Sequence, residues 1–290
     1  MSFSSEVKEE LAKHISPARH CQIAELAAIM HFCGQYGRDE SGLYTIGFQT
    51  ENEAVVRKGF TLLKKTYNIE AGQTLAAQKM QDVLDKIGNL DEPVSRLILK
   101  NSCCQRAFLR GAFLSVGSMS DPSKSYHLEF DCTDAAKAEQ LQGVIGNFGI
   151  ESKIILRKKY HVVYLKEGSG IVDLLNVCEA PVSLMNLENL RILKEMRNSV
   201  NRRVNCETAN IAKSVNAAAR QVEDIEYIRN HYGFQNLPAG LREMAEIRLE
   251  NPDISLKELG ERFNPPIGKS GVNHRLRKLS ELAEKLRLGL

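Results

Sequence analysis

Two stretches of this chain carry the same order of apolar and polar positions. Residues 23–34 form an apolar run rich in small side chains and closed by Gly34, and residues 106–117 have the same make-up and close on Gly117. Each run predicts a buried helix with a glycine stop. After each comes an alternating segment, 44–48 and then 126–130, whose period of two predicts a strand. Each strand leads through a short polar turn into a further helix, over 53–67 and over 135–148. The offset between matching positions drifts only from 83 to 82 to 81 residues along the pair, so the first half of the chain reads as an internal repeat. The second copy continues as a β-hairpin, 153–157 with 161–165 around the tip Lys158-Lys159-Tyr160, followed by a helix over 170–178. The first copy lacks that hairpin, because residues 71–75 pass almost at once into a helix over 76–87. One repeat is complete and the other abbreviated.

Beyond the repeat the period becomes helical. Residues 186–204 begin as a polar helix and end as an Asn/Arg-rich linker, and Ile211, Val215, Val222 and Ile225 then mark the inner face of a helix over 207–228. Leu237-Pro238 opens another helix, with Leu241, Met244, Ala245 and Leu249 inward. Ser255 and Glu258 have the spacing of a capping box, and Leu256, Leu259 and Phe263 share the face of the helix it starts. Pro265-Pro266 must stop that helix, since proline lacks the amide donor and moves its predecessor out of the α region. A last helix starts near Ser270 and buries Val272, Leu276 and Leu279. Its other faces carry Asn273, His274, Arg275, Arg277 and Lys278, with Lys269 just before its first turn. A narrow apolar stripe beside cations and base-reading amides is what the second helix of a helix-turn-helix needs. The predicted class is α+β: a duplicated N-terminal domain over 1–188 (repeats about 20–90 and 104–180), a linker over 189–205, and an all-α domain over 206–290 with the helix-turn-helix at about 254–287.

Charge sharpens this division. Residues 191–290 hold 18 Lys and Arg against 13 Asp and Glu, while the rest of the chain holds 21 against 23, so the basic character sits with the helix-turn-helix. No apolar run approaches a membrane span, and the first residues read as an acidic helix start with no signal core, so a cytoplasmic, nucleoid-associated protein is expected. Seven cysteines, odd in number and without a Cys-x-x-Cys pair, argue against a zinc site or a disulfide framework. Cys103 and Cys104 are neighbours on one predicted helix and are not expected to face a single metal. The histidines show no metal-ligand spacing, and no Gly-rich phosphate loop is present, so neither metal nor cofactor is expected.

The paired glycine-closed helices resemble the LAGLIDADG homing-endonuclease fold. With the C-terminal segment, the chain resembles the WhiA family of bacterial transcription regulators of sporulation and cell division, most specifically over 106–114, 201–211 and 268–276. That resemblance implies a LAGLIDADG-like domain without nuclease function, joined to a helix-turn-helix that binds promoter DNA. In a LAGLIDADG nuclease each helix presents a carboxylate immediately before its final glycine, and the pair holds Mg²⁺, a hard cation that needs oxygen ligands. Here those degenerate positions are Cys33 and Val116, one a poor magnesium ligand and the other no ligand. Asp39 and Asp121 lie just past the glycines but not at the helix ends. The expectation is therefore no enzyme, with an active endonuclease or a non-enzymatic interaction scaffold as the alternatives.

Within the last helix, Asn273, His274 and Arg275 are the expected base-edge readers, and Lys269, Ser270, Arg277 and Lys278 the phosphate contacts. Arg202, Arg203 and Lys213 form a second basic group, read either as following the DNA backbone or a minor groove, or as a solvated linker and helix face. Lys158 and Lys159 at the hairpin tip read either as a residual nucleic-acid contact or as charges that keep the tip soluble. The expected partner is double-stranded promoter DNA, with a second regulatory protein and the oligomeric state left open, and no membrane.

Overall fold

The computed structural model describes residues 2–289, which divide after Glu195 into two compact units. The N-terminal unit opens with α1 (Phe3–Lys13), which Ser2 caps by accepting the Ser5 amide and which buries Val7 and Leu11. The centre of the unit is a helix pair, α2 (Arg19–Cys33) and α5 (Ser102–Val116), buried on nearly every face. Small residues let the two backbones meet: a Cβ at Gly111 would stand 2.5 Å from the Glu25 carbonyl oxygen and 2.8 Å from the Ala28 Cβ. Ala27 and Ala112 are fully buried beside them, with Leu26, Ile29, Phe108 and Phe113 filling the core.

Both helices run straight from their closing glycines into strands, β1 (Gly34–Arg38) and β3 (Gly117–Met119). Neither strand was expected, because one is polar and the other too short to show alternation. Each glycine has an ordinary negative φ of −75°. It is required by crowding instead: a Cβ would lie 2.6 Å from the carbonyl oxygen of Met30 at Gly34, and of Phe113 at Gly117.

The repeats then differ as expected. In the first, β1 pairs only with β2 (Tyr44–Phe48), and α3 (Glu53–Tyr67) follows. A single antiparallel bridge, Tyr44 to Leu75, precedes α4 (Ala77–Ile87). In the second, β3, β4 (Leu128–Cys132), β5 (Lys153–Arg157) and β6 (Tyr160–Leu165) form an antiparallel sheet of order β3-β4-β6-β5. The Tyr44–Leu75 bridge thus holds the place that β6 takes beside β4. α6 (Ala135–Gly146) and α7 (Gly168–Val177) complete the second copy, and β4 starts two residues later than its alternation suggested.

A charged cluster is sealed inside this unit. Glu25 on α2 accepts from Lys58 on α3 at 2.9 Å and from both Nε and Nη2 of Arg110 on α5, at 3.1 and 3.2 Å. All three side chains are at most 1% exposed. Lys58 also donates to the His14 and Leu11 carbonyls, and Arg110 reaches Glu179 at 2.6 Å, which in turn meets His14 at 3.0 Å. Every charge therefore has an opposite partner, which is the condition for keeping it out of water.

The segment 189–205, expected as an Asn/Arg-rich linker, is helical, and the division between the two units falls inside it. It lies within α8, a single helix of 51 residues (Pro181–His231), because no glycine or proline interrupts the chain between Pro181 and Gly233. The helical period expected over 207–228 is present, but its apolar positions are not all inward: Ile211 and Val215 are 64% and 60% exposed, whereas Ile225 and Ile228 are buried. The C-terminal unit packs Ile225 and Ile228 with α9 (Ala239–Glu250), α10 (Leu256–Glu261) and α11 (Lys269–Arg287) around Met244, Leu259, Phe263, Val272, Leu276 and Leu279. No helix among the described residues is long and apolar enough to cross a membrane.

Candidate nucleic-acid interface

The capping box forms as its spacing requires: the Glu258 amide donates to Ser255 Oγ, and the Ser255 amide to Glu258 Oε2 at 2.8 Å. α10 ends after one and a half turns, and the chain turns through a cis Asn264–Pro265 peptide back against it. The turn is locked where the Ile267 amide donates to the Gly260 carbonyl at 3.0 Å. A Cβ at Gly260 would stand 2.2 Å from the Ile267 carbonyl oxygen, so only glycine allows this approach.

α11 is held from below by Val272, Leu276, Leu279 and Ala283. Its N-cap, Gly268, offers no side-chain acceptor, so the first amides, those of Lys269 and Ser270, point out of an uncapped helix end that favours anions. Lys269, Ser270, Asn273, His274, Arg277 and Lys278 are all exposed. Arg277 also pairs with Glu281 at 3.1 Å, a surface contact that solvent screens.

Arg275 departs from the expectation. It is half-buried, its guanidinium lies over the Phe263 ring at 4.9 Å, and Nη1 is buried without a hydrogen-bond partner. Helical period alone placed it on an outer face. The aromatic ring that draws it in belongs to the preceding helix-turn, and no local signal announces that pairing.

Arg202, Arg203 and Lys213 are exposed on α8. Arg202 and Lys213 share one face about three turns, or roughly 16 Å, apart. At the hairpin tip Lys158 takes a left-handed φ of 57° and Lys159 lies over the Tyr160 ring at 5.4 Å; both are exposed.

At the C-terminal end of the α2–α5 pair, Cys33 is buried and Val116 half-buried. Burial raises the Cys33 thiol, countered by Ser115 and Lys8 nearby. Lys8, whose own pKa burial lowers, lines one recess with Ser115, Val116 and Asp131, and Asp131 is engaged by Arg157 at 3.0 Å. Asp39 and Asp121 are tied into their own turns: Asp39 accepts from Ser41 Oγ at 2.7 Å and the Leu43 amide at 2.9 Å, and Asp121 accepts from the Ser123 amide at 2.8 Å. Those bonds hold both carboxyls below the usual range.

The other end of the pair corrects a sequence expectation. Cys103 and Cys104 do turn toward one point, where they meet His20 and Cys21, with the four ligand atoms within 4.8 Å of one another. Spacing along the chain could not reveal this, because the two dipeptides meet only when the repeats pack.

Three family models match the chain: "WhiA N-terminal LAGLIDADG-like domain" over residues 19–82, "WhiA LAGLIDADG-like domain" over 105–197 and "WhiA C-terminal HTH domain" over 200–283. Among similar proteins, a probable cell division protein WhiA of Lachnoclostridium phytofermentans is 52% identical, with 99% of this chain and 100% of that protein covered. One of the same description from Alkaliphilus oremlandii is 48% identical, covering 100% and 99%. The crystal structure of full-length DUF199/WhiA from Thermatoga maritima aligns over 98% of this chain and 99% of its own, with a TM-score of 0.60 and 27% identity.

Proposed function

This chain belongs to the WhiA family, and on that premise we propose that it is a non-enzymatic, sequence-specific DNA-binding regulator of transcription, acting on the chromosome in the cytoplasm and tied to cell division and sporulation. The observation that carries the reading is α11. It is a helix anchored by a buried apolar stripe, with an uncapped N-terminus and a continuous exposed face of amide, imidazole and cationic side chains.

The division of labour we propose gives residues 1–188 a structural, LAGLIDADG-like role and residues 206–290 the DNA contact. Asn273 and His274 read base edges in the major groove, while Lys269, Ser270, Arg277 and Lys278 hold phosphates. Arg275 supports α11 through Phe263 rather than leading the base contacts. Arg202, Arg203 and Lys213 supply a second backbone contact along α8.

The non-enzymatic reading is supported by the recess beside Val116, where an ammonium and a paired aspartate stand instead of two free carboxylates. Selection of bound sequences from random DNA tests the proposal directly. A consensus should emerge, and Asn273→Ala should cost about 1–3 kcal/mol at one base pair of it. Equal retention of all sequences would favour the scaffold reading, and magnesium-dependent scission would restore the nuclease.

A further inference from the structure

The N-terminal ends of α2 and α5 bring four metal-binding side chains to one point. His20 and Cys21 lie in the first turn of α2, and Cys103 and Cys104 in the first turn of α5. His20 and Cys103 are 83 residues apart, the offset of the repeat at this point, and Cys21 and Cys104 stand at the same offset. The internal repeat therefore places equivalent positions face to face. His20 Nδ1 is 3.1 Å from Cys104 Sγ, 3.4 Å from Cys21 Sγ and 4.0 Å from Cys103 Sγ. In a tetrahedral zinc site, with Zn–S near 2.3 Å, ligand atoms stand about 3.5–3.8 Å apart. The cluster already has nearly that size.

We propose that His20, Cys21, Cys103 and Cys104 form a structural zinc site that clips the N-terminal ends of the two central helices. Three thiolates and an imidazole are soft to borderline donors, suited to Zn²⁺ and unsuited to Mg²⁺ or Ca²⁺. Four protein ligands leave no position for water or substrate, so the metal holds structure and does no chemistry. Cys21 and Cys104 are buried and backed by Ala24 and Ala107, while His20 and Cys103 are exposed, so the ion is shielded on one side and reachable from the other. Both helices begin without a side-chain cap, and their positive ends favour the thiolates.

The test uses the full chain, purified under reducing conditions without chelator, stripped of metal and titrated with Co²⁺ and then Zn²⁺. One Co²⁺ per chain should bind, with the intense visible bands of a tetrahedral ion and a sulfur-to-cobalt charge-transfer band, and Zn²⁺ should abolish both. The Cys21→Ser/Cys104→Ser double variant should lose the spectrum. Because those residues are buried, the exposed positions give the cleaner pair: Cys103→Ser and His20→Ala should each reduce the charge-transfer band or weaken retention while the circular-dichroism spectrum stays that of the parent. Cys206→Ser, an exposed thiol on α8, should change nothing. The proposal is overturned by a weak octahedral spectrum, by full binding in the double variant, or by a native mass showing no metal after Zn²⁺ addition. A disulfide among Cys21, Cys103 and Cys104 in protein kept free of oxygen would also overturn it.

Discussion

In the N-terminal unit Lys58 and Arg110 are closed into the core against Glu25, whereas in the C-terminal unit Lys269, Arg277 and Lys278 stand in solvent along α11. The side chains are chemically alike, and their surroundings give them different work. A buried cation must keep its counter-charge, so removing one partner exposes the whole cost of the other. A solvated cation is free to exchange water and counterions for a phosphate, and its loss is felt only when a polyanion is present. One set of charges thus specifies a packing, and the other leaves a face open.

The largest effect should come from opening the buried set. Glu25→Ala leaves Lys58 and Arg110 without their shared carboxylate and should destabilise the N-terminal unit by about 3–5 kcal/mol in denaturant melts. A cost under about 1 kcal/mol would mean that the network is dispensable. Arg275 tests the boundary between the two kinds of cation. If its guanidinium packs on Phe263, Arg275→Ala should lower the stability of the C-terminal unit by about 0.5–2 kcal/mol. Unchanged melting with a lost base preference would return it to the reading face.

Acid should act on the N-terminal unit more than on the other. His14, lowered by burial and then by Arg110, and His31, lowered by burial, bind protons less readily folded than unfolded. Their contribution is fully present above the unfolded value near 6.5 and is lost as pH falls through the lower folded values. Melting temperature should therefore drop as pH falls below about 6.5, and His14→Ala should flatten that drop. A rise on acidification would reverse the assignment. The smallest effect on the fold is expected at Lys278: Lys278→Ala should melt as the parent does while the salt slope of DNA binding falls by about 1. An unchanged slope would take Lys278 off the phosphates.

Much of the fold is legible in the chain because it is local. The capping box at Ser255, the proline stop, the bounds of β2 and α3, and the inner stripe of α11 each depend on residues within a turn or two of one another. The abbreviated first repeat is legible too, since too few residues lie between α3 and α4 to build a hairpin. The helical state of 189–205 was less legible, because Asn and Arg suggest an irregular connector by composition, yet nothing there breaks a helix. At the candidate interface the exposed residues followed from helical period, and Arg275 did not, because a long flexible side chain can reach an aromatic ring that the period of its own helix ignores.

The sequence by itself determined the periods, the caps, the stops and the repeat, all of which are set by neighbours along the chain. Tertiary structure alone decided which distant groups meet: Glu25 with Lys58 and Arg110, Arg275 with Phe263, and His20-Cys21 with Cys103-Cys104. The reason is that helix packing fixes distances between side chains far apart in sequence, while spacing along the chain constrains only those that share an element.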